Sequence, residues 1–450
     1  MSISKSELKT GTLGVRECAA ICIGGMIGIA VFVLPSLTVT LAGPVAVLVW
    51  ALAGLLMYII SLNFVELATA FPKAGGIYVY PYETFGKSKG IRIFSSFLTG
   101  WLYWFTFGVI AQTVGATYLA QLISTLIPGF EKYTMLVSVL SIVVVWAINC
   151  LGIRLTGLVN TALTVLLLLL MLFYIVVGIF NVNLNYYTPI VAGYMGFRGS
   201  LIGITIAWLG YTAWIALTSV AEEVRKPQET IPKAISIAFL ITTVFYFLTL
   251  LITFGVAPWS DFTPENSFAY HAPLSYASTK FAPWLAPTIS LATIIAIITT
   301  MIVLFLDSSR VLLAMGRTGI FPSQFAYVHR RFKTPIVSLT VLLVLSIILT
   351  AYPHLIYFLI QMGGGNFGII CSICSLSVIF LRRYRKDVKP SFRAPGGVAL
   401  PIVAVVIVAV VMTQYESAVY YLTLGWVAVG CVYYVIRRAT KTGIFRSSVR

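Results

Sequence analysis

The stretch Cys22-Ile-Gly-Gly-Met-Ile-Gly-Ile-Ala-Val-Phe-Val-Leu-Pro35, CIGGMIGIAVFVLP, carries no charge and is apolar enough to lie in hydrocarbon, yet it holds three glycines and ends in proline. Inside a helix glycine costs about 1 kcal/mol relative to alanine and proline about 3 kcal/mol. A segment that served only as an anchor would be more stable without them. A backbone break at membrane depth persists where it lines a cavity or where a bound molecule completes its hydrogen bonds, because hydrocarbon offers no water to do so.

Composition places the whole chain in a bilayer. Of 450 residues, 59% are hydrophobic and only 10% charged, with a mean hydropathy of +0.98. An ordinary soluble domain carries about 25% charged residues. The first apolar run is preceded by Lys5, Glu7, Lys9, Arg16 and Glu17 and has no small-residue cleavage site after it, so the expectation is a retained first helix and no cleaved signal peptide. At about 20 residues per crossing, the charge-free window 18–65 reads as two helices joined at Ala42-Gly43-Pro44. Further windows run over 93–130, 133–153, 155–197, 199–221, 234–260, 281–306, 334–381, 394–415 and 417–436. The 334–381 window is read as two helices turning near Tyr352-Pro353-His354, and the 155–197 window as one helix followed by the polar loop 181–185. The expectation is therefore an all-α polytopic membrane protein with twelve transmembrane helices.

Lysine and arginine collect in cytoplasmic loops. With the N-terminus inside, 27 of the 30 basic residues lie inside, leaving Lys132, Arg198 and Lys280 outside. Both termini are expected in the cytoplasm, and a plasma-membrane location follows from the same reading. The net charge of +17 then marks an inner face, Arg382-Arg-Tyr-Arg-Lys386 for example, that sits against anionic lipid. Nucleic-acid binding is set aside, since the basic residues alternate with apolar spans and form no basic domain. Cys18, Cys22, Cys150, Cys371, Cys374 and Cys431 lie in or beside apolar windows and read as small core residues. His271, His329 and His354 fall in loops, so no metal or cofactor is expected.

Gly24 and Gly28 by themselves fit a close helix crossing. A second interruption changes the weight: the sixth helix, Gly203-Ile-Thr-Ile-Ala-Trp-Leu-Gly-Tyr-Thr-Ala-Trp214, has Gly210 beside Tyr211 and Thr212 near its middle. Two interrupted helices five apart point to a carrier built from inverted repeats, with substrate held between the broken helices. The half-helix beginning near Ile29 offers free N–H groups and a positive dipole end to an anion such as a carboxylate. The second break offers carbonyl groups to an ammonium. The expected binding residues are Ile27, Gly28, Ile29, Ala30 and Val31 with Trp208, Leu209, Gly210, Tyr211, Thr212, Ala213 and Trp214, one of the three rings covering the ligand. Trp101 and Trp104 are candidates for the cavity wall.

The stretches Glu66-Leu-Ala-Thr-Ala-Phe-Pro-Lys-Ala-Gly-Gly-Ile-Tyr78, Ala221-Glu-Glu-Val-Arg-Lys-Pro-Gln-Glu-Thr-Ile-Pro-Lys233 and Arg317-Thr-Gly-Ile-Phe-Pro322 resemble the amino acid/polyamine/organocation permeases, over roughly residues 10–440. The resemblance implies a five-plus-five inverted repeat, residues 1–185 and 186–392, with helices 11 and 12 and a tail over 393–450. It also implies alternating access for amino acids or related amines. Members of that family commonly have small residues where this chain has Ile29 and Ala30, and some carry an acid where Ile215 stands or a lysine in helix 5, which here has no charge over 155–180. A neutral or zwitterionic amino acid fits these departures better than a dication. A fixed cation in helix 5 is excluded. Thr161 and Thr164 are the oxygen ligands a sodium ion would have, although such threonines usually bond their own helix.

Glu66, Glu222, Glu223, Asp307 and Arg310 stand at inner helix ends as candidates for a gate or proton path. Asp307 and Arg310 are three residues apart and so share a helix face. Exchange of one amino acid for another and proton symport are both compatible with these residues. The alternatives are a permease for an amine or other small organic cation, and a channel or scaffold on the same helices. An intramembrane enzyme is excluded by the near absence of ionisable groups at depth.

Overall fold

A computed structural model describes residues 7–127 and 129–440. The first half comprises α1 (Val15–Met26), α2 (Ile29–Ala42), α3 (Ala46–Ala70), α4 (Gly76–Thr84), α5 (Lys89–Phe105), α6 (Ala111–Leu126), α7 (Thr134–Cys150) and α8 (Ile153–Gly178). Then come α9 (Gly196–Leu209), α10 (Ala216–Ser219), α11 (Pro227–Gly255), α12 (Ser267–His271), α13 (Pro273–Phe281) and α14 (Ala286–Arg317). The chain ends with α15 (Ile336–Thr350), α16 (Ile356–Tyr384), α17 (Ala399–Met412) and α18 (Ser417–Thr440). Among the described residues nine helical stretches are long and apolar enough to cross a membrane, or ten when the bent pair α1 and α2 is one span. The 15-residue α15 and the 14-residue α17 are apolar but shorter. Fully apolar side chains such as Leu158, Leu169, Val406 and Val435 stand exposed on the outer helices, as side chains facing lipid do.

The turns follow local chemistry. Gly43 ends α2 at φ 81°, in the left-handed region that glycine enters without a Cβ penalty. The window 334–381 divides at Tyr352-Pro353, where proline begins a short 3-10 turn. Two features were not expected from the charge-free windows. The Glu66–Tyr78 stretch turns back into the protein as α4, with Gly75 at φ 78° and its N–H donating to Ser219 O at 2.8 Å. The loop after α11 holds the short helices α12 and α13.

One end of the bundle gathers the basic helix termini. The N-terminal segment pairs with the loop after α10: Thr12 N donates to Glu223 O at 2.9 Å and Arg225 N to Leu13 O at 2.7 Å. Arg382 at the end of α16 binds Glu66 at the end of α3, at 2.8 Å from Nε. At the opposite end Tyr194 N donates to Thr40 O at 2.9 Å and Val45 N to Ile190 O at 2.8 Å.

Candidate functional site

Both interrupted helices are present. Between α1 and α2 the chain bends by 40°: Gly28 has extended backbone at φ −119°, and its N–H donates to Met26 O at 2.8 Å in place of a helical bond. No side chain caps α2, so its first-turn N–H groups remain available. Between α9 and α10 the helix stops at Leu209 and resumes as a 3-10 turn at Ala213. The two breaks touch: a Cβ built on Gly210 would lie 3.2 Å from that of Ala30, and one on Gly25 2.8 Å from that of Ala213.

Side chains missed in the sequence hold the breaks in place. Tyr246 on α11 is buried, and its hydroxyl reaches Gly210 O at 3.1 Å and also Met26 O, spanning both interruptions. Thr300 on α14 donates to Gly25 O at 3.1 Å, and Asn160 on α8 to Ala20 O at 3.1 Å. Close packing explains the glycines: a Cβ on Gly28 would come 1.8 Å from Thr300 Oγ1, and one on Gly24 2.2 Å from Thr164 Oγ1. Thr161 bonds back to Gly157 O at 2.7 Å, while Thr164 turns toward Ala20 O at 3.4 Å. Among the described residues no group of His, Cys, Asp and Glu is arranged to hold a metal ion.

A cavity of about 140 Å³ opens beside the breaks. On the scale where one water needs roughly 10–15 Å³, it takes a small organic molecule. Gly28 and Ala30 line it from the first break and Leu209, Thr212 and Ala213 from the second. Thr106, Phe107 and Ile110 line it from a π-helical turn at Thr106–Ile110 joining α5 to α6. Such turns displace side chains from helical register and recur at functional sites. Ile297, Thr300, Met301 and Leu304 form the α14 wall, and Leu359, Ile360 and Phe367 the α16 wall. Among the described residues that line it, none is charged. The cavity reaches Val33, Leu34 and Tyr118, which places it on the side of the breaks away from the basic end.

The remaining expected residues stand behind this wall. Ile27, Val31, Gly210, Trp208, Tyr211 and Trp214 do not line the cavity; Trp208 packs on Phe367 at 5.7 Å, Tyr211 on Tyr246 at 5.0 Å and Trp214 on Phe64 at 5.1 Å between ring centroids. The side chain of Ile29 lies outside the described residues. Trp101 stacks on Trp426 of α18 at 4.9 Å and donates to its carbonyl at 3.1 Å, with Trp104 beside it. These rings fasten α18 to α5 away from the cavity.

The ionisable residues pair with one another at the basic end. Arg310 and Glu223, both fully buried, form a two-pronged pair at 3.0 and 3.2 Å. Burial pushes the Glu223 carboxyl up from its ordinary range, and the Arg310 guanidinium opposes that. Glu222 binds Arg317 at 3.0 Å and accepts from Ala74 N at 3.1 Å. Glu66 binds Arg382 and accepts from Ala394 N at 2.7 Å. Asp307 and Arg310 share a helix but not a partner, since Asp307 accepts from Tyr103.

Comparison with known proteins agrees with this architecture. The sequence profile described as amino acid permease matches residues 13–436. A methylthioribose transporter of Bacillus subtilis is 27% identical over 96% of this chain and 94% of its own length. The branched-chain amino acid permease BcaP of the same organism is 26% identical over 94% of this chain and 92% of its own, and the serine/threonine exchanger SteT 24% over 87% and 88%. The chain belongs to the amino acid permeases of the amino acid/polyamine/organocation superfamily, a family of transporters and not of enzymes.

Proposed function

We propose that this protein carries a neutral amino acid with an apolar side chain across the membrane by alternating access. The observation that carries the reading is the uncharged cavity set against the uncapped first turn of α2. Free N–H groups and the positive end of a helix dipole suit the substrate carboxylate, and the carbonyls at the end of α9 suit its ammonium. Ile297, Met301, Leu304, Leu359 and Ile360 suit an aliphatic side chain, and a cationic side chain would find no carboxylate there. The name of the branched-chain permease among the relatives points the same way.

The reading includes twelve spans, counting α15 and α17, arranged as inverted repeats over 1–185 and 186–392 with the remainder appended. Matched packing supports it: α1 lies on α11 as α9 lies on α3, and α5 on α16 as α14 on α8. The basic end faces the cytoplasm and its anionic lipid, in the plasma membrane. The cavity on the other side of a sealed basic end fits a carrier open outward or closed around its site, driven by exchange or proton symport. Saturable uptake of labelled isoleucine into proteoliposomes, accelerated by unlabelled isoleucine inside, tests it. Uptake of arginine in preference to every neutral amino acid overturns the substrate class, and uptake that does not saturate overturns the carrier.

A further inference from the structure

A buried acid lies beneath the cavity floor, outside the binding residues. Asp307 is fully buried on α14, three residues beyond Leu304 of the cavity wall. Tyr103 of α5 stands one turn before Phe107, also of the wall, with ring centroids 4.6 Å apart. The Tyr103 hydroxyl donates to Asp307 Oδ2 at 2.5 Å and the Ser308 hydroxyl to Oδ1 at 3.0 Å. Among the described residues Asp307 has no ion pair, because the Arg310 guanidinium is taken by Glu223, Leu306 O and Ser309 Oγ. The other titratable groups around this place are Cys371 near Tyr103 and Cys150 near Arg310. α1 carries Cys18 and Cys22, with exposed Arg16 and part-buried Glu17 in its first turn; α4 carries Tyr78, Tyr80 and Tyr82, with Glu83 paired to Lys73 and Arg385; α8 carries Tyr174 and an exposed Arg154; and α15 carries none. Arg310 is thus the cation in reach, already committed to another acid.

A carboxylate without a cation is costly to keep charged in a dry interior and cheap to keep charged when water reaches it. Ionisable residues inside membrane helices commonly mark proton paths for this reason. We propose that Asp307 is the proton acceptor that couples substrate movement to a proton gradient; this rests on the transport reading above. When water enters through the cavity, a hydronium ion gives its proton to the Asp307 carboxylate, an O–H bond forms, and the negative charge is lost. The Tyr103 hydroxyl turns from donor to acceptor. The cavity can then close without burying a charge. Opening of the Glu223–Arg310 seal admits water from the basic end, which takes the proton back, so that one positive charge crosses with each neutral substrate.

The full chain in proteoliposomes tests this through two readouts, exchange of labelled isoleucine against internal isoleucine and accumulation driven by an acid-outside pH gradient. The wild type is expected to accumulate substrate under the gradient. Asp307→Asn, which keeps the size and hydrogen-bonding capacity of the side chain, is expected to retain exchange within about threefold and to lose the gradient-driven accumulation. Accumulation that persists in Asp307→Asn overturns the proposal, as does a wild type that exchanges substrate but ignores the gradient; either leaves the transport reading standing. A wild type that takes up no amino acid overturns both. Where Asp307→Asn loses exchange as well, Tyr103→Phe decides. Removing a donor from the carboxylate favours its protonated form, so the midpoint of the pH profile must move to higher pH, and an unmoved midpoint overturns the proposal.

Discussion

Replacing Tyr246 with phenylalanine isolates the contact that joins the two breaks. The ring is buried against Trp50 at 5.2 Å and Tyr211 at 5.0 Å, and phenylalanine keeps both contacts. Only the hydroxyl is lost, and with it the donor to Gly210 O at 3.1 Å and to Met26 O. Met26 O retains the Gly28 N–H at 2.8 Å, so the acceptor at Gly210 loses most. Stranding a buried acceptor costs about 1–3 kcal/mol, and every 1.4 kcal/mol is tenfold in an equilibrium constant. If the hydroxyl sets the spacing of the breaks that hold the ligand, apparent affinity for isoleucine falls by roughly 5- to 150-fold. Binding to the purified protein, measured by equilibrium titration, checks this alongside the melting temperature without ligand. Affinity within twofold of wild type would refute the reasoning even if stability fell, because the hydroxyl would then support the fold and not the site.

Gly28→Ala puts a methyl carbon 1.8 Å from Thr300 Oγ1 and is expected to abolish uptake with the protein still in the membrane; Thr300→Ala in the same chain is expected to restore part of it, measured as initial uptake rate. Glu223→Leu or Arg310→Met alone leaves an uncompensated buried charge, which costs about 3–5 kcal/mol, so each single variant is expected to melt at a lower temperature than the double variant. Trp101→Ala empties a buried site at the α5–α18 contact, for which truncating a core tryptophan costs about 3–5 kcal/mol. It is expected to lower thermal stability while leaving the Michaelis constant unchanged, and a changed constant would place Trp101 in the transport path.

The bilayer, the helix junctions and the two breaks were legible in the sequence, because each rests on local chemistry. Charge-free windows cannot be soluble loops, and Gly43 and Pro353 punctuate them wherever the chain is read from. Glycines at 28 and 210 are costly in any helix, and their pairing in two helices five apart signals interruption; Gly24 and Gly25 lie inside α1, where they serve close packing. What occupies the space beside a glycine is another matter. That Thr300 fills the place of a Gly28 side chain, or that Tyr246 reaches Met26 O, depends on helices more than 200 residues apart in sequence. The aromatic residues of the sixth helix illustrate the limit: Trp208, Tyr211 and Trp214 are apolar at helical depth whether they meet a ligand or other rings, and only packing turned them to Phe367, Tyr246 and Phe64. The spacing of Asp307 and Arg310 fixed their shared face, yet their partners, Tyr103 and Glu223, come from other helices. Sequence thus determined where the backbone must break and where charge cannot lie, since those costs are paid locally. Tertiary structure decided which side chain answers each broken bond or buried charge, because that choice belongs to whichever distant helix packs there.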